Sequence, residues 1–171
     1  MATRFRVFST QAGPMGIVAS GRGLRRVVLP ERTAVAVRRA IGKDFGEATE
    51  DKTLLPELVD ALRRYMEGER VAFDVRLDSG DASPFQAKVW RACWRIGYGR
   101  TITYGELAAL AGHANAARAV GSAMRCNPFP IVVPCHRVLR GDGSLGGYSG
   151  PGGLAFKRWL LELEGAGQPA V

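Results

Sequence analysis

The period of the hydrophobic pattern changes along the chain, and this limits the fold more than any other feature. Arg4-Phe5-Arg6-Val7-Phe8 alternates at period two, Gly16-Ile17-Val18-Ala19 follows a Gly13-Pro14 turn, and Leu24 to Leu29 follows Gly21-Arg22-Gly23. These runs predict a small antiparallel meander. From Glu31 to Ile41 and from Leu54 to Met66 the apolar residues recur at helical spacing, and the segments close on Gly42 and Gly68. Val71-Ala72-Phe73-Asp74-Val75 is expected to return to the sheet as a short strand. Leu77 to Ala82 carries Asp78, Ser79, Gly80 and Asp81 and reads as a linker. Beyond it Ser83-Pro84 caps a helix through Phe85, Val89, Trp90 and Cys93 that stops near Gly97. The expected class is therefore α+β. A supporting α/β domain spans 1–80, a mostly helical domain spans 83–165, and a frayed tail spans 166–171.

The 171 residues are 46% hydrophobic and 23% charged, which excludes disorder as the main state. No apolar run approaches the roughly 20 residues that cross a bilayer, and the first ten residues lack an apolar signal core, so a cytoplasmic protein is expected. The formal charge of +8 suggests a polyanionic partner, with nucleic acid first. A codon-biased genome would equally explain 20 Arg against 4 Lys. Residues 81–171 hold 10 basic and 5 acidic side chains against 14 and 11 in residues 1–80, which puts the cleaner positive bias in the second half. Cys93, Cys126 and Cys135 form no CxxC pair, so neither a disulfide framework nor a four-cysteine zinc site is available.

Thr103-Tyr104-Gly105-Glu106 has the form of a helix start, leading to a stop at Gly112. Asn115 can cap a second helix from Ala116 to about Arg125. Two short helices about a tight turn match a helix-turn-helix, although a plain helical hairpin is the simpler reading from spacing alone. The second helix is small-sided, with Ala117, Ala119, Gly121, Ser122 and Ala123, and Arg118 is the one long charged side chain on its early part. A smooth face with one Arg suits close approach to DNA, but it lacks the side chains that read base edges.

Ile131-Val132-Val133-Pro134-Cys135-His136-Arg137-Val138 sets a Cys beside a His after an expected buried strand and a Pro turn. A neighbouring base or positive charge favours the thiolate, and His136 and Arg137 could supply it. The chain has two histidines, and His113 lies in the hairpin turn. Neighbours on a strand face opposite ways, so a water-mediated Cys135–His136 pair is expected. An acid to orient the imidazole would come from Asp81, Glu106, Asp142, Glu162 or Glu164. Asn127-Pro128 makes a rigid turn that can tie two segments together. Gly141 to Gly153 holds seven glycines in thirteen residues around Tyr148-Ser149, which suits a pocket wall or a surface loop.

Val133-Pro134-Cys135-His136-Arg137-Val138-Leu139 resembles the active-site signature of the 6-O-alkylguanine-DNA alkyltransferases, or methylated-DNA-protein-cysteine methyltransferases. The resemblance extends to Phe85 to Trp90, Thr103 to Ala108, Ala117 to Gly121, Asn127-Pro128 and Lys157 to Glu164, covering residues 83–164. It implies a ribonuclease H-like N-terminal half and a winged helix-turn-helix in the C-terminal half. The implied partner is double-stranded DNA containing alkylated guanine, bound through the minor groove by a monomer. Ala117, Ala119, Gly121, Ser122 and Arg125 would lie against DNA, Arg118 would fill the space left by the lesion, and Tyr104 would rotate the nucleotide out. The base would sit against Tyr148 and Ser149, near Met124, Pro130 and Val138. Cys135 would take the alkyl group once and irreversibly. His136 would take the thiol proton through water, Glu164 would orient His136, Asn127 would be the hinge, and Tyr104 would help the guanine leave with a proton.

No cofactor is implied. Residues 1–92 contain no Cys or His, so the zinc that some relatives hold there is not expected. Gly150-Pro151-Gly152-Gly153 looks longer than the corresponding loop in many relatives, and Cys126 stands where other small residues are usual. The alternative is a non-catalytic sensor of alkylated bases on the same scaffold, in which the nucleophile is commonly replaced by Trp. Cys135 argues against it.

Overall fold

The computed structural model describes residues 2–166. The chain divides after Gly80 into two compact units. Together they form the α+β arrangement of a small N-terminal sheet with helices and a mostly helical second half.

In the first unit β1 (Arg4–Thr10), β2 (Gly13–Ser20) and β3 (Gly23–Val28) make the antiparallel meander. A two-residue strand, β4 (Thr49–Glu50), adds to β1 in parallel and gives the order β3-β2-β1-β4. The central strand β2 buries Met15, Gly16, Ile17, Val18 and Ala19 in succession, because it has neighbours at both edges and α1 (Ala34–Asp44) on one face. Gly16 makes the helix fit, since a Cβ there would meet Val37 at 2.7 Å and Ile41 at 3.0 Å.

Helix α1 is capped by Thr33, which accepts from the amide of Ala36. It runs through Gly42 to Asp44 instead of stopping there: Gly42 faces open space, and the amide of Phe45 closes on Ile41. Helix α2 (Pro56–Met66) carries the second predicted helical segment. Val71 to Val75 is not a strand. Leu77 alone bridges to Leu24, with the amides of Leu24 and Asp78 bonded to Arg76 and Leu24 carbonyls. The predicted linker is anchored for the same reason. Asp78 is buried and accepts from Ser20 Oγ at 2.6 Å and the amide of Gly80 at 3.1 Å, and it pairs with Arg22 at 3.2 Å.

The second unit opens with α3 (Pro84–Trp94), whose Ser83 and Gln86 exchange side-chain and backbone hydrogen bonds in a capping box. Thr103 and Glu106 do the same at α4 (Tyr104–Leu110). Asn115 does not cap α5 (Ala117–Arg125). It takes φ 70°, a left-handed conformation Asn tolerates, and Ala116 precedes the helix without a side-chain cap. Ile131 to Val133 forms no sheet strand because its groups find local partners. Val133 N bonds to Phe129 O, and Val133 O accepts from Cys135 N and Asn127 Nδ2. Cys135–Arg137 is a 3-10 turn leading into β6 (Val138–Leu139), which pairs in parallel with β5 (Ile102–Thr103). Helix α6 (Gly153–Leu163) closes the unit.

Ala166 is held rather than frayed, its amide bonded to Leu161 O, while residues 167–171 of the expected tail lie outside the described residues. Among the described residues no helix is long and apolar enough to cross a membrane.

The buried Asp78 carboxylate carries the link between residues 77–80 and the sheet. Asp78→Ala is expected to cost about 1–3 kcal/mol, read as a lower denaturant midpoint in equilibrium unfolding.

Candidate active site

Helix α5 sorts its residues by face. Val120, Ala123 and Met124 are buried, and Arg118, Ala119, Ser122 and Arg125 are exposed. Trp90 anchors the helix by donating Nε1–H to Ala123 O at 2.9 Å and meeting Phe129 edge-to-face. Beside α5 lies a cavity of about 530 Å³. It is lined by Tyr104, Ala117, Arg118, Gly121, Met124, Arg125, Cys135, Tyr148 and Ser149. Ala119 and Ser122 lie outside this lining, Ser122 bonding Arg118 O and Arg125. Pro130 and Val138 are not in the lining either, and the Val138 carbonyl already accepts from Lys157.

Asn127 fixes the approach to Cys135. Its Nδ2 donates to Val133 O and its Oδ1 accepts from Phe129 N, both at 2.9 Å, which ties the end of α5 to the turn before Pro134. Ile131 sits at φ 74° within the segment so bent, a strained position for a β-branched residue. The Cys135 side chain is left partly exposed in the cavity. Burial pushes its thiol up, while a hydrogen bond from Asn127, the Lys157 charge and the amides of Cys135 and His136 act the other way. The resting group is a thiol at neutral pH.

His136 is fully buried behind this turn. Its Nε2 meets Glu164 Oε1 at 2.6 Å. Glu164 also accepts from Arg137 Nε and Nη2 at 2.9 and 2.8 Å and from the Gly99 amide at 3.0 Å. Burial holds the imidazole below its ordinary value, against the opposing pull of Glu164. A neutral ring donating Nε2–H to the carboxylate leaves Nδ1 as its basic nitrogen. Arg137 is spent on Glu164 and Ile96 O instead of on the thiol, because the 3-10 turn carries it into the core. The other acids are elsewhere: Glu106 caps α4, and Asp142 bonds Ser144. His113 packs edge-to-face on Phe85, Cys93 is a core residue, and exposed Cys126 follows the last turn of α5.

The cation near the thiol is Lys157, whose part in the site is visible only in the fold. It is fully buried, and its Nζ donates to the carbonyls of Val138, Leu145 and Gly147 at 2.7, 2.5 and 3.3 Å. Those bonds hold the glycine-rich wall against α6, and burial lowers the ammonium to about 8. The available signal was its place three and four residues before buried Leu160 and Leu161, on the core face of an amphipathic helix. Its Nζ also faces the Tyr104 ring at 5.9 Å. Gly146 permits this packing, since at φ 71° a Cβ would lie 3.1–3.2 Å from the Tyr104 ring and hydroxyl. Tyr148 leans on Phe156, which stacks on Trp159, and its hydroxyl oxygen is buried without a hydrogen-bond partner among the described residues. Among the described residues no three His, Cys, Asp or Glu side chains converge as a bound metal would require.

Comparison with known proteins gives one family for both units. Residues 3–79 match the ribonuclease-like domain of 6-O-methylguanine DNA methyltransferase, and residues 84–166 match its DNA binding domain. The methylated-DNA--protein-cysteine methyltransferase of Mycobacterium tuberculosis is 40% identical over 166 residues, which is 97% of this chain and 94% of that protein. The Mus musculus protein of the same name is 57% identical over 84 residues, 48% of this chain and 39% of the mouse protein. The structure of Mycobacterium tuberculosis OGT in complex with DNA superposes with a TM-score of 0.79 at 39% identity, covering 94% of this chain and 92% of that one.

If Lys157 supports the thiolate, Lys157→Met raises the pH midpoint for modification of Cys135 by iodoacetamide, by about 1 unit. Peptide mass analysis across a pH series separates Cys135 from Cys93 and Cys126.

Proposed function

Because the chain belongs to the 6-O-methylguanine DNA methyltransferase family, whose models match both of its units, we propose that it repairs DNA by moving an alkyl group from the 6-oxygen of guanine to Cys135. The observation that carries this reading is a partly exposed thiol in a cavity of about 530 Å³, backed by a buried His136–Glu164 pair.

The duplex is held through its minor groove by the exposed face of α5. Arg118 occupies the gap left as Tyr104 turns the alkylated nucleotide out of the stack. The flipped guanine enters the cavity beside Tyr148 and Ser149. His136 Nδ1 then takes the thiol proton through a bridging water, and Glu164 steadies the imidazolium that forms. The Cys135 sulfur forms a bond to the alkyl carbon from the side opposite O6 as the carbon–oxygen bond breaks. The released electron pair goes to the guanine, and Tyr104 helps neutralise it with a proton. Lys157 favours the thiolate while that bond is formed. A thioether has no electrophilic carbonyl for water to attack, so each molecule acts once. The protein works as a cytoplasmic monomer, and this chemistry needs no cofactor.

Purified protein incubated with a duplex containing one methylated guanine gains the mass of one methyl in place of one hydrogen. The gain saturates at one per molecule and is absent in Cys135→Ala. Tight preference for the damaged duplex without a mass gain would make the chain a lesion sensor.

His136 has its folded value below the ordinary 6.5, so it stays neutral and basic at neutral pH and is lost as a base only on further acidification. The single-turnover methyl-transfer rate therefore has an acid limb set by His136, falling as pH drops, with a midpoint under 6.5. A midpoint above 6.5 would remove His136 as the base.

A further inference from the structure

The parallel pairing of β5 with β6 also sets the exit of the two strands. Thr103 pairs with Leu139, so the residues that leave the two strands side by side are Tyr104 and Arg140. Both line the cavity, and they meet over Gly146, where a Cβ would lie 3.2 Å from the Tyr104 hydroxyl and 3.4 Å from Arg140 Cγ. Arg140 is exposed, whereas Cys135 is only partly so, which puts the guanidinium at the mouth and the thiol further in.

Its backbone is fixed by the short turn that follows: Arg140 N donates to Ser144 O at 2.9 Å, and Arg140 O accepts from Gly143 N at 2.9 Å. Its side chain makes no ion pair with any described residue. The nearby carboxylate of Asp142 is engaged by the Ser144 amide and hydroxyl at 2.9 and 2.7 Å. Arg118, Arg125 and Arg140 line the same cavity, and no acidic side chain does. Asp142 attracts this guanidinium from beyond ion-pair distance, and a fixed backbone with an exposed guanidinium free of any ion pair beside the tyrosine suits an anion that reaches the mouth as the base goes in.

We propose that Arg140 is a positioning residue that binds a phosphodiester of the flipped nucleotide, holding its backbone at the mouth beside Tyr104. This rests on the alkyl-transfer reading of the cavity. A purine entering toward Cys135 leaves its sugar-phosphate at the exposed edge, where a guanidinium can bind a phosphate oxygen pair. Phosphate contacts of this kind fix orientation and carry no sequence information.

The test uses the full chain with Arg140→Ala and Arg140→Lys, and two methyl donors: a lesion duplex, and free 6-O-methylguanine, which has no phosphate. Methyl transfer to Cys135 is followed by mass. For Arg140→Ala the proposal expects slower transfer from subsaturating duplex and a log–log salt slope of duplex binding shallower by about 1. It also expects an unchanged rate from the free base and recovery of the duplex rate in Arg140→Lys. An equal loss with both donors would overturn it, because Arg140 would then act on Tyr104 or the cavity wall. An unchanged duplex rate and slope would overturn it too. If the unsubstituted protein transferred from neither donor, the alkyl-transfer reading itself would fail.

Discussion

The second unit depends on one buried carboxylate. Glu164 receives hydrogen bonds from Gly99 and from the neighbouring His136 and Arg137, which lie on two separate stretches of chain, and it does so with both oxygens filled. A carboxylate out of water is tolerable only when paired and saturated, and here one guanidinium supplies the charge while the other donors fill the remaining lone pairs. The same bonds decide which nitrogen of His136 carries the proton and which way the ring faces. They also bring Arg137 inward, and the 3-10 turn that this requires turns Cys135 toward the cavity. Structure and chemistry share a single contact at the end of α6.

Around that contact the charges are kept low where a neutral base must enter. Burial holds the thiol protonated and the imidazole neutral. The one buried cation near the sulfur, Lys157, has its charge spread over three carbonyls of the pocket wall. The unbalanced positive charge stands at the mouth, on Arg118, Arg125 and Arg140. That division of charge, low at the thiol and positive at the rim, suits a chain of a DNA methyltransferase family.

Local chemistry was legible wherever a residue's partner lies within a few positions. Ser83 caps α3 and Thr103 with Glu106 forms the helix start that their spacing suggests, and the three runs from Arg4, Gly16 and Leu24 pair as the expected meander. Reading failed where one residue pattern suits two outcomes, or where the partner is distant. Ile131 to Val133 has the apolar run of a strand, but its groups bond locally through Asn127 and Phe129. Asn115 has the chemistry of a cap and uses its tolerance of positive φ instead. Asp78 looks like linker polarity until Ser20 and Arg22, more than fifty residues earlier, close around it.

The sequence alone determined the α+β class, because that depends on hydrophobic period, and it carried the family in the resemblance of Val133 to Leu139 and its companion motifs, because those residues are contiguous. The fold decided what each charged side chain does. Arg137, two positions after Cys135, serves Glu164, while Lys157, 22 positions away, ties down the pocket wall and brings its charge to the thiol's side. Arg140 reaches Tyr104 only because two short strands pair in one register. Hydrophobic periodicity tells a chain which faces to bury. Electrostatic partnership follows distances in space, and those exist only once the helices have packed.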